Sequence, residues 1–229
     1  MKVLAIGAHP DDIELGCGAA LAAHRARGDE ITMLVLTTGE KGPQAARSRV
    51  HEQEEASALL DARLLWGGFD DCAIPDGRAA VDVIQAAIRT HGIDTVYTHA
   101  PNDSHQDHRA AAEASLSAAR RSTRVLCYES PTSTSFNPTI HIDVAGYLDA
   151  KGELIRAHLS QVLKNGLVDL EAVEAQARYR GFVARMRYAE SFEAYRFAWE
   201  LDAPSTDDAH DIDTVVAGDL DLDLLEANQ

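Results

Sequence analysis

Cysteine is scarce in this chain, and what there is does not cluster. Cys17, Cys72 and Cys127 are an odd number with no metal-type spacing. That argues against a disulfide framework and a thiolate zinc site, and for buried thiols in a reduced, cytoplasmic compartment. Positive charge is also short: 21 Lys and Arg face 37 Asp and Glu, a net charge of −16. Non-specific binding to nucleic acid or to an anionic membrane needs basic patches, so neither partner is expected. No apolar run approaches the ~20 residues of a membrane span. Met1-Lys2 leads straight into a strand-like segment, and the chain reads as lacking a secretory leader. There is no internal repeat. A dinucleotide fingerprint is missing as well. Gly16-x-Gly18 lies too late, because the Gly-rich turn of such a site begins at the strand end.

What is present is an ordinary globular composition, 45% hydrophobic over 229 residues, enough for one sizeable α/β domain. Two regions are expected: a domain over 1–200 and an acidic tail over 201–229. From Asp202 to Glu226 there are nine carboxylates and no Lys or Arg, so the rest of the chain carries only −7 of the −16. Val215, Val216, Leu220, Leu222, Leu224 and Leu225 are candidate docking residues in that tail, toward a neighbouring subunit of a homo-oligomer.

The segment Val3-Leu4-Ala5-Ile6 reads as a strand buried on both faces. It stops at Gly7-Ala8-His9-Pro10-Asp11-Asp12, and a helix is expected over 13–27, closed by Gly28. Strands over 31–38, 63–66, 93–98 and 124–128 then alternate with helices over 47–60, 79–90 and roughly 108–120. Gly67-Gly68-Phe69 is read as loop. The alternation predicts a mostly parallel sheet with helices on both faces, and the fold is taken as a Rossmann-like three-layer α/β sandwich with the strand order 3-2-1-4-5. After residue 131 the pattern changes to an α+β extension: a strand over 139–143, helices over 144–163 and 170–186, and an edge strand or helix end over 193–200.

In a 3-2-1-4-5 sheet the strand order reverses between strands 1 and 4, and ligands bind outside the strand ends there. That brings His9 to Asp12 beside the segment 101–108. His9 and Asp12 offer two metal ligands, and His108 completes a two-His, one-carboxylate set with an open position, as in catalytic zinc sites. Asp11 is then placed to act as general base on metal-activated water. His105, one turn from His108, is placed to donate to a developing oxyanion. Asp107 is placed to fix an imidazole tautomer. The donor set suits Zn2+ and also Fe2+.

The pairing of His9-Pro10-Asp11-Asp12-x-Glu14 with His105-x-Asp107-His108 resembles the zinc-dependent de-N-acetylases of the PIG-L (LmbE-like) family. Thr38-Gly39-Glu40, Gly42, Arg49-x-x-Glu52, Pro101-x-Asp103-x-His105, His158-x-Ser160-Gln161 and Ala189-Glu190-x-Phe192 extend the resemblance over about residues 1–200. Many members place Glu directly after the second Asp, where this chain has Ile13, so Glu14 is read as a helix-start carboxylate. The resemblance implies zinc on His9, Asp12 and His108, Asp11 as base, and His105 stabilising the tetrahedral intermediate. It implies hydrolysis of an N-acetyl group on an N-acetylglucosamine-type conjugate, and an oligomer.

Bland readings stand beside these. Arg49 and Glu52 are either an exposed ion-pair face or lie near the sugar. Asp103, like Asn102, is a capping residue or a substrate contact. Asp71 is a loop acid at the end of the third strand and a candidate substrate contact. His24, His51, His91, His141, His158 and His210 are read as unremarkable. A non-catalytic binding module of the same fold, and a metal-dependent phosphoesterase, are the rival functions.

Overall fold

In a computed structural model, residues 1–42, 46–162 and 168–199 are described. The expected tail over 201–229 lies outside them. Five parallel strands come first: β1 (Lys2–Gly7), β2 (Glu30–Thr37), β3 (Arg63–Phe69), β4 (Thr95–His99) and β5 (Arg124–Tyr128). Between them run α1 (Asp12–Ala26), α2 (Ala46–Leu59), α3 (Arg78–His91) and α4 (Gln106–Ala118). The chain continues with β6 (Ile140–Asp143), α5 (Leu148–Ala157), α6 (Leu159–Val162), α7 (Leu170–Val183) and β7 (Ala189–Phe197). The sheet order is β3-β2-β1-β4-β5-β7-β6. The order expected for the first five strands is the one found, and β1 lies between β2 and β4.

Strand periodicity builds two cores. Leu4 and Ile6 point to one face with Leu34, Leu36, Val96 and Val125, packed under α3 and α4 through Ala80, Ile84, Ala111 and Ala114. Val3 and Ala5 point to the other with Met33, Val35, Tyr97, Leu126 and Tyr128, against Ile13, Leu21 and Leu154 of α1 and α5. Burial on both faces is why these strands read as continuous apolar runs.

Four elements differ from expectation by more than two residues. β3 continues through Gly67-Gly68-Phe69, where a loop was read. A Cβ on Gly67 would lie 2.8 Å from Leu36 Cα, and Gly68 has φ +75°. Both glycines therefore serve a close, irregular strand pairing beside the register shift between Val35 and Thr37. The long helix expected over 144–163 begins only at Leu148 and breaks at His158 (φ −88°, ψ 54°). The helix expected to reach 186 ends at Val183. The last strand begins at Ala189 and is interior, antiparallel to both β5 and β6, so β6 is the edge on that side of the sheet and β3 the other.

Candidate active site

β1 ends in a turn that holds Asp11 in the left-handed region (φ 91°, ψ −23°). A non-glycine residue there is strained and must be held by its surroundings. α2 holds it. Arg49 donates to Pro10 O at 2.7 Å and to Asp11 Oδ1 at 3.5 Å, and Gln53 Oε1 accepts from Asp11 N at 3.3 Å. Arg49 and Glu52 are 7% and 8% exposed, so the exposed ion-pair face is overturned. They do not pair with each other; Glu52 accepts from Ser160 N and Oγ at 2.9 and 2.6 Å. Glu14 stands in the first turn of α1, as read from the sequence. It is fully buried, accepts from Gln53 Nε2 at 2.7 Å and lies 3.4 Å from His158 Nε2. His158 is thus a buried part of this network.

Asp12 is central. Its Oδ2 accepts from His9 N at 2.7 Å and faces His9 Nδ1 at 3.4 Å; its Oδ1 faces His108 Nε2 at 3.3 Å. The partners behind each imidazole fix its tautomer. His9 Nε2 lies 3.1 Å from both Asp71 Oδ1 and Asp107 Oδ2, so the proton is there and Nδ1 turns a lone pair toward Asp12. His108 Nδ1 lies 3.1 Å from Asp103 Oδ2, so its Nε2 lone pair also faces Asp12. With both rings neutral, two ring nitrogens and a carboxylate turn electron pairs on one another at 3.3–3.4 Å, an arrangement that calls for a cation. The pKa directions show the same pull on positive charge, one that a proton on the rings also answers. Burial alone would depress His9, yet Asp107, Asp12 and Asp71 push it up to about 12. Burial would raise Asp12, yet His108 and His99 hold it well below the usual carboxylate range.

His105 differs. It caps α4, its Nδ1 accepting from Asp107 N at 3.2 Å, so its proton sits on Nε2. Burial and the neighbouring His108 and His9 lower its pKa, which keeps it a neutral N–H donor. Asp11 is pushed up to about 7 by burial and by Asp12, against Arg49 and His158.

Three overlapping groups of described residues could hold a metal ion: His9 with His105 and His108; Asp12 with His99 and His108; His9 with Asp71 and Asp107. They open on a cleft of about 310 Å3 that Asp11, Lys41, Arg49, Cys72, Thr132 and Gln161 also line. An equally large groove beside α5 and α7 has no histidine in its lining.

A model of the PIG-L family, GlcNAc-PI de-N-acetylase, matches residues 4–119. The uncharacterized deacetylase YaiS of Escherichia coli K12 is 37% identical over 167 residues, covering 69% of this chain and 90% of that protein. The chain belongs to the PIG-L family. Its reaction class, N-deacetylating hydrolysis, comes with that membership. The diacetylchitobiose deacetylase of Thermococcus kodakarensis is 26% identical over 216 residues, covering 82% of this chain and 81% of that one. The fold matches the conserved protein TT1542 of Thermus thermophilus with a TM-score of 0.78 at 28% identity, over 89% of this chain and 99% of that one.

Within this PIG-L chain, all nine residues singled out from the sequence lie in or directly behind the cleft. The geometry moves one of the expected substrate contacts, Asp103, and gives a second, Asp71, a partner in His9 while it still lines the cleft. Asp103 turns away from the cleft: Oδ1 accepts from His105 N at 2.7 Å, and Oδ2 accepts from Ser130 Oγ at 2.5 Å besides meeting His108. Those donors hold it down to about 2 against burial, which alone would raise it. Asp71 is held by His9 and by Lys41 N, and its acidity is strongly increased, chiefly by His9. His99 was missed. It ends β4 with Nε2 3.2 Å from Asp12 Oδ2 and 3.2 Å from the Ala8 N–H, stacked on His108 at 4.1 Å. Its position was the signal: the last residue of β4 must abut the end of β1 in this strand order.

Proposed function

We propose that this PIG-L chain removes an N-acetyl group from an N-acetylated amino-sugar conjugate, using a divalent cation held by His9, Asp12 and His108. One observation carries the reading: His9 Nδ1 and His108 Nε2 converge on the Asp12 carboxylate at 3.4 and 3.3 Å, while other carboxylates engage the far nitrogen of each ring. The trio takes His9 and His108 from one of the three metal-competent groups and Asp12 and His108 from another, and the members left out have further partners. Asp107 accepts from Cys72 N at 2.7 Å, Asp71 from Lys41 N at 3.0 Å, and His99 Nε2 from Ala8 N at 3.2 Å. His105 Nε2 carries a proton. Zn2+ suits two nitrogens and one oxygen with a place left open, and Fe2+ suits them too.

When bound, such a cation acidifies water and polarises an acyl carbonyl. Asp11 takes the proton as the water oxygen attacks the amide carbon. The strained turn and Arg49 keep its carboxylate aimed at the cleft. His105 Nε2–H donates to the carbonyl oxygen as negative charge builds there. The C–N bond then breaks, and Asp11 returns its proton to the departing nitrogen. Asp107 and Asp103 hold the His9 and His108 rings from behind. The relative named for diacetylchitobiose supports an amino-sugar substrate.

The test is a panel of N-acetylated amino-sugar conjugates, assayed for acetate and free amine before and after chelation and metal restoration. Stoichiometric release that disappears with chelator and returns with metal is expected. Metal uptake with no release from any conjugate would instead describe a binding module.

A further inference from the structure

α1 is not one helix. Cys17 has φ −144° and ψ 18°, so the turn that carries Asp12 and Glu14 is separated from the rest. An unbroken helix would close here with Ala19 N–H on Leu15 O and Ala20 N–H on Gly16 O. Instead, Ala19 N donates to Glu190 Oε1 at 3.1 Å and Ala20 N to Glu190 Oε2 at 2.7 Å. Lys151 Nζ donates to Leu15 O at 2.6 Å and to Glu190 Oε1 at 2.5 Å. The pair is 4% and 5% exposed. A side-chain ion pair is thus inserted into the hydrogen-bond ladder, Glu190 capping the second segment and Lys151 closing the first. Gly16, at the break, has no room for a side chain against the Tyr128 ring, and Tyr128 Oη donates to Ile6 O at 2.7 Å.

A buried pair of this kind is weak evidence for stability, because desolvation offsets its attraction. Its placement explains it better. The first segment of α1 is a single turn, too short to hold itself, and its end is tied to β7 and α5, far along the chain. We propose that Lys151 and Glu190 are positioning residues for Asp12: through the break in α1 they set where its carboxylate stands between His9 and His108. This inference rests on the metal reading above.

The experiment substitutes Lys151→Met and Glu190→Gln, loads each protein with Co2+, and reads cation affinity by chelator competition together with the visible absorption band. Affinity should fall at least tenfold in both variants, with a shifted band, at intact circular dichroism. Variants that melt lower yet keep wild-type affinity and spectrum would show a merely structural pair and overturn the proposal. Should either variant fail to fold, amide exchange on the wild type decides, since coupling between two sites is reciprocal. Metal should raise protection of Ala19 and Ala20 at least tenfold and leave Ile84 and Ala87 of α3 unchanged; no preferential rise overturns the proposal. Wild-type protein that takes up no cation would overturn both readings, whereas the variant outcomes bear on this one alone.

Discussion

At the scale of single residues, the site is a matter of which nitrogen carries a proton. Asp11→Asn keeps the shape of the turn but removes the proton acceptor. We expect turnover to fall by roughly 10²–10⁴ with metal content unchanged; full activity would remove Asp11 as base. His105→Phe removes a donor aimed at developing charge and should lower kcat by about 10²–10³, the metal again being retained. Asp103→Ala is different. It leaves the cleft lining intact but unties His108 Nδ1 from its carboxylate. Metal affinity should drop by roughly 10–100-fold, measured by competition with a chromophoric chelator. A pure KM effect at full metal affinity would return Asp103 to the role of substrate contact.

At the scale of elements, the deviations from regular structure are where the fold is most specific. β3 approaches β2 so closely at Gly67 that an added methyl meets the Leu36 backbone, which cannot rotate away. Gly67→Ala should therefore destabilise by about 1–3 kcal/mol, as overpacking does, seen as a lower denaturant midpoint at unchanged m-value. Gly28→Ala tests something else. It has open space around it but φ +81°, so its cost is backbone strain alone, about 1 kcal/mol. A double glycine looked like loop because sequence patterning registers missing side chains, not the neighbouring backbone that forbids them.

For the whole molecule, the two ends of the sheet do different work. The carboxyl ends of β1 and β4 carry the cleft. The opposite end is tied by a network in which His24 Nδ1 meets Asp29 Oδ2 at 2.7 Å, His24 Nε2 meets Tyr97 Oη at 2.9 Å, and the Met1 ammonium meets Asp29 Oδ1 at 2.6 Å. Burial would raise Asp29, but the Met1 ammonium and His24 lower it below its ordinary 3.8. Burial lowers His24 below its ordinary 6.5. Both signs point the same way. Below about pH 6.5 the unfolded chain protonates a histidine that the fold keeps neutral. Below about 3.8 it protonates a carboxylate that the fold keeps ionised, and that stabilisation is lost as pH falls through the lowered value. Melting temperature should fall with acid in two stages, and Asp29→Asn should reduce the second, which Asp12, Asp71 and Asp103 share, while leaving deacetylation at neutral pH unchanged. An unaltered acid limb would show that the network carries no linkage. Alternating apolar strands and helices were enough to predict β1 to β5 as a parallel sheet, because burial on both faces leaves apolar runs that local sequence displays, and the order of the Rossmann-like fold did the rest. That order alone carried His9, Asp12 and His108 to one rim. Tertiary structure decided what local pattern cannot encode: the interior place of β7, the inward turn of Arg49, Glu14 and Asp103, the contact of His99 with Asp12, and the ion pair from residues 151 and 190 in a helix begun at residue 12. Each depends on partners distant in the chain, whose contribution exists only once the backbone has brought them together.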